Sequence, residues 1–165
     1  MLRFTVPVLA MLASPVAMAA EPVAWAPTAA EAALVQALSL RDGSPPCREL
    51  EALVPAPVAS LQAVVHHVTM PPWVGMRAAS CLITGHATET RPALELWVTD
   101  PELRGLGILV LGSLDTMPVE LATDLATRAI QRGADPADAR RRVARSTRPE
   151  IAALATLPDA APVAP

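Results

Sequence analysis

The chain has no lysine and no tyrosine, and its aromatic residues come to one phenylalanine and three tryptophans in 165 residues. Every cationic side chain other than three histidines is therefore arginine. The missing lysine accompanies abundant alanine and arginine, a bias of base composition that carries no functional information. The scarcity of Tyr, Phe and Ile is more informative, because these residues favour strands, while the Ala and Leu that dominate here favour helix. The expected class is all-α. Beyond the N-terminus no apolar run approaches the roughly 20 residues needed to span a bilayer, so a membrane-spanning chain is not expected. A formal net charge of -3 gives no electrostatic reason to expect nucleic acid or an anionic membrane as partner.

The N-terminal stretch reads as a secretory signal. Arg3 supplies the positive end, Phe4–Val16 a short apolar segment, and Ala17-Met18-Ala19 the small-x-small cleavage pattern. Pro7 and Pro15 argue against a packed core helix in its place. Residues 1–19 are thus expected to be removed on export, to the periplasm or beyond. Residues 20–27 are expected to be extended, 28–157 to form one helical domain, and the Pro- and Ala-rich 158–165 to be a disordered tail.

Only two cysteines are present, Cys47 and Cys81. In an oxidising compartment a disulfide is the leading expectation; two buried thiols are the alternative. The bridge would close a loop of about 35 residues and stabilise the fold by roughly 3–4 kcal/mol in the chain-entropy picture.

Helix starts and stops are marked clearly. Thr28-Ala29-Ala30-Glu31 is a capping box, with Thr28 capping forward and Glu31 reaching back. Pro-marked turns at Pro55–Pro57, Met70–Pro72 and Met117-Pro118 separate stretches with apolar residues at helical spacing. Asp100-Pro101 and Asp135-Pro136 pair a cap with a proline that surrenders only an unpartnered N–H. The segment from Asp100 to Leu114 is apolar on nearly every face and predicts one buried helix. Its Gly105 and Gly112, seven apart, are expected to share a face where a neighbouring helix approaches closely.

Asp100-Pro-Glu-Leu-Arg104 recurs as Asp135-Pro leading to Arg140, with a looser version in Val74-Gly-Met-Arg77-Ala-Ala. The helices before them match as well, Pro57…Leu61 against Pro92…Leu96. These residues resemble HEAT repeats, paired helices whose second member begins D-x-x-V-R-x-x-A. The resemblance covers roughly Pro57–Ser146, about three units, near the minimum for a stable stack. It implies a short α-solenoid of antiparallel helix pairs, and structural roles for Arg77, Asp100, Arg104, Asp135 and Arg140: the Asp caps the second helix, and the Arg pairs with an acidic group of the neighbouring unit. Met70-Pro71-Pro72 stands where the first unit should have its Asp, and Gly105 and Gly107 replace alanines. An irregular helical bundle is the alternative.

The inventory of chemistry is thin. His66 and His67 lie about 100° apart on a helix and cannot easily share an ion, and with His86, Cys81 and Cys47 they match no zinc spacing. Gly105-x-Gly107-x-x-Val110 lacks the third glycine and the preceding strand of a dinucleotide loop. Ser80 has neither a nucleophile elbow nor a histidine partner, and Glu89, Glu95 and Asp100 form no carboxylate pair. No catalytic, cofactor-binding or metal residue is therefore assigned. Arg141, Arg145 and Arg148 fall on one helical face and form a candidate interaction patch, but the leading expectation is a run that solvates a terminal helix, with Asp138 pairing Arg142. The expectation is an exported helical scaffold or protein-binding module without catalytic activity, with an unknown protein as partner. A periplasmic hydrolase or metal-binding protein is the alternative.

Overall fold

Proline breaks a helix from within, yet among the described residues most prolines sit where a helix starts. A computed structural model of the chain describes residues 25–43 and 45–157. Within them the protein is all-helical, with no strand. The first helix, α1 (Ala29–Ser39), starts on the capping box: Thr28 Oγ1 accepts from Glu31 N at 3.2 Å and Glu31 Oε2 accepts from Thr28 N at 2.9 Å. α2 (Cys47–Glu51) follows, then α3 (Pro57–His67), α4 (Pro72–Gly85) and α5 (Arg91–Thr99). A 3₁₀ turn at Pro101–Leu103 leads into α6 (Arg104–Gly112), and a second at Leu114–Thr116 leaves it. The chain continues as α7 (Val119–Arg132), α8 (Pro136–Val143) and α9 (Pro149–Ala152), which ends in a 3₁₀ turn at Ala153–Thr156. Helices α3, α4, α5, α8 and α9 all carry proline in their first two positions, where no hydrogen bond is lost. The expected signal and tail lie outside the described residues.

Consecutive helices pack in pairs, α3 on α4, α5 on α6 and α7 on α8. Beyond the pairs, α4 touches α1 and α6, α6 also touches α8, and α5 touches α7. One contiguous apolar core runs through all of them, from Leu34 and Leu38 through Leu61, Val74, Leu82 and Leu94 to Leu125, Val143 and Ile151. Trp97 of α5 is its largest member and is 2% exposed. The expected disulfide is present: Cys47 and Cys81 are bonded, with Cα atoms 5.4 Å apart, and tie α2 to α4. No helix among the described residues is long and apolar enough to cross a membrane.

Two expectations need correction here. The segment from Asp100 to Leu114 is not one buried helix. Asp100 does cap, accepting from Glu102 N at 2.8 Å, but what it starts is the 3₁₀ turn, and α6 has only nine residues. Only Gly107, Val110 and Leu111 of α6 are buried, while Leu106, Ile108 and Leu109 are partly exposed. Nor do Gly105 and Gly112 meet a neighbour: a Cβ at either position would find nothing within 4 Å. The close approach is made by Gly107, where a Cβ would lie 2.5 Å from the carbonyl oxygen of Trp97. That carbonyl belongs to the last turns of α5, so backbone against backbone is what α6 requires of this residue.

Candidate binding cleft

Several polar side chains that do not cap helices stitch one helix to another. Arg77, on α4, donates to carbonyls at and just past the end of α1, at 2.8 Å to Leu38 O, at 3.3 Å to Arg41 O, and also to Leu40 O. A cation at carbonyls left unpaired by a helix end is well placed both for hydrogen bonding and for the helix dipole. Arg104, at the start of α6, reaches Asp135 Oδ2 at 3.1 Å, while Asp135 Oδ1 caps α8 through Asp138 N at 2.9 Å. One carboxylate thus caps α8 and holds the start of α6. Arg140 donates to Leu157 O at 3.2 Å, fastening the end of the described chain to α8.

The expected face of Arg141, Arg145 and Arg148 does not form, because α8 stops at Val143. Arg141 pairs with Asp138 at 2.9 Å, and Arg142 holds the same carboxylate at 2.7 Å. These two guanidinium groups, Arg142 first, keep the Asp138 carboxyl below the ordinary carboxylate range. Arg148 turns inward and donates to Met117 O at 2.7 Å. Of these arginines Arg145 lies exposed with no side-chain partner among the described residues, as Arg41, Arg48 and Arg132 do elsewhere.

What turns the chain after α8 is a residue that sequence patterning passes over as part of a turn. Asp115, in the 3₁₀ turn after α6, accepts from Thr147 N at 2.8 Å, from Thr147 Oγ1 at 2.7 Å and from Ser146 Oγ. The hydroxyl of Ser146, then the amide and hydroxyl of Thr147, and finally the nearby Arg148 charge lower its carboxyl to a pKa of about 2. Its partners stand 31 and 32 residues away, so no local motif could reveal it.

Between this corner and the end of α6 lies an open cleft of about 190 Å³. Leu111 and Leu114 form its apolar part and Gly112 its rim; Asp115, Ser146, Arg142 and Arg145 form its polar part. Leu111 also borders a shallower depression that runs along α6 past Arg104 to Asp135. Arg142 and Arg145 thus stand at the cleft beside Leu111 and Leu114, which are themselves only 9% and 2% exposed, and the Ser146–Thr147 corner is held by Asp115.

The other residues weighed for chemistry do not converge. Cys81 is in the disulfide, His66 and His67 lie exposed at the end of α3, and the His67 ring stacks on Trp25 at 5.3 Å. His86 Nε2 lies 3.1 Å from Glu51 Oε1, with Glu89 at 3.8 Å from its other nitrogen. Among the described residues no group of three or more His, Cys, Asp or Glu side chains could hold a metal ion. A second exposed apolar feature, formed by Leu40, Met70 and Trp73, lies at the opposite end of the helix order. There the indole donates to Ser39 O at 3.4 Å. Comparison with protein-family models, curated proteins and solved structures gives no match to this chain.

Proposed function

We propose that the chain is an exported helical scaffold that binds another protein, without catalytic activity of its own, and that its helix pairs form a short stack of the HEAT kind. The observation that carries the binding reading is the open cleft lined by Leu111, Arg142 and Arg145, where an exposed cation without a side-chain partner stands beside the end of α6. Binding sites of this kind combine an apolar contact with a few placed polar groups. The stacked reading is supported by the succession of α4, α6 and α8 and by the Arg104–Asp135 pair, which joins the second helices of two units. Export is supported by the Cys47–Cys81 bridge, since disulfides persist in oxidising compartments.

The test is crosslinked affinity capture of the tagged chain from its own cell envelope, quantified against a tag-only control. The expected outcome is one protein enriched in near-stoichiometric amount. Recovery of no specific protein would overturn the proposal.

A further inference from the structure

We infer that Met70 is a modification site: its thioether is what an oxidant of the peroxide class converts first, and the sulfoxide makes an apolar corner of the surface polar while leaving the fold intact. The site lies at the opposite end of the helix order from the cleft at Arg145 and does not depend on it.

Accessibility decides which side chain meets the oxidant. Thiols are ordinarily the first to react, but Cys47 and Cys81 are bonded to each other and no free cysteine remains. Thioethers come next, ahead of indole and imidazole rings, because a sulfur lone pair attacks a peroxide oxygen directly. The described residues hold three of them, Met70, Met76 and Met117. Met117 is 2% exposed and belongs to the core. Met76 is partly buried on α4. Met70 is 75% exposed, the highest value among the exposed large apolar side chains.

The turn accounts for that exposure. α3 ends at His67 and α4 starts at Pro72. Between them Val68 packs against the core, while Thr69 and Met70 are left outside. Met70 belongs neither to the core nor to the partly buried residues packed on it. Trp73 is fixed independently of it, by the indole N–H that donates to Ser39 O.

In the reaction the Met70 Sδ lone pair attacks one oxygen of hydrogen peroxide. An S–O bond forms, the O–O bond breaks, and the proton on the transferred oxygen passes to the departing hydroxide, which leaves as water. Sulfur is oxidised by two electrons and the peroxide is reduced by two. The new dipole stands in solvent, so no buried group loses a partner. The surface of Leu40, Met70 and Trp73 then carries a polar group where it had an apolar one.

The experiment treats the folded full chain with graded hydrogen peroxide and locates the added oxygen by peptide mass spectrometry. Among Met70, Met76 and Met117, Met70 should react first, at least about ten-fold faster than Met117. In denaturant the three should react within about two-fold of one another. The species oxidised at Met70 alone should keep its Tm within about 2 °C and elute earlier in hydrophobic-interaction chromatography. Met70→Gln, which places a polar group there without an oxidant, should show the same Tm and the same early elution. First oxidation at Met76, Met117 or an indole, the same selectivity in denaturant, or a larger fall in Tm would each overturn the inference. So would unchanged elution of the Met70-oxidised species or of Met70→Gln.

Discussion

Gly107 and Asp115 are single residues on which the arrangement around the cleft depends. An added methyl at Gly107 would meet the Trp97 carbonyl oxygen at 2.5 Å, a contact with backbone that no rotamer change can relieve. Gly107→Ala should therefore destabilise the protein by about 1–3 kcal/mol in urea unfolding. Gly105→Ala and Gly112→Ala, facing open space, should be neutral or stabilising by about 0.5–1 kcal/mol. Equal effects at all three positions would contradict this packing. Asp115 sets an acid limit. Its carboxyl falls from 3.8 to about 2 on folding, so its stabilisation is fully present above pH 3.8 and is lost as pH falls to about 2. The Asp115→Asn variant should have a lower Tm than the natural chain at neutral pH, and the gap should close across that acidic window. A gap that persists at pH 2 would show that Asp115 acts through something other than its charge.

At the scale of elements, the disulfide is the clearest test. It closes a loop with a sequence separation of 34, for which the chain-entropy picture gives roughly 3–4 kcal/mol. A paired Cys47→Ala, Cys81→Ala variant should lose about that much in denaturant unfolding; a loss under about 1 kcal/mol would mean that the α2–α4 contact holds without it. Elements also show what the amino-acid sequence reveals and what it withholds. Helix starts are local events, so Thr28 with Glu31, and Asp135 with Pro136, announce α1 and α8 directly. Helix ends are less local. The arginine run after Arg140 contains no stop signal, and α8 ends where it does because Ser146 and Thr147 are caught by a carboxylate more than thirty residues upstream. The same reasoning applies to glycine: spacing singles out Gly105 and Gly112, but the position of the α5 carbonyls selects Gly107. The cleft was half legible. Arg145 stood out as part of a basic run, while its setting depended on Asp115 and on an end of α6 that no periodicity marks.

For the whole molecule, one continuous core joins every helix pair, and the chain is expected to unfold as a single cooperative unit. Trp97→Ala, removing the largest buried side chain, should cost about 3–5 kcal/mol and lower the stability of α1 and α8 together in hydrogen exchange. Loss of protection confined to α5 would contradict a shared core. Exposed features of the described residues include the cleft at Arg145 and the apolar corner of Leu40, Met70 and Trp73. The central claim is that the first of these is the binding place. Hydrogen–deuterium exchange of the full chain with and without its captured partner tests this most directly. The account predicts new protection in the segments holding Leu111–Asp115 and Arg142–Thr147, with the Met70–Trp73 turn unchanged. Protection at the Met70–Trp73 turn, with the α6–α8 end unaffected, would contradict it.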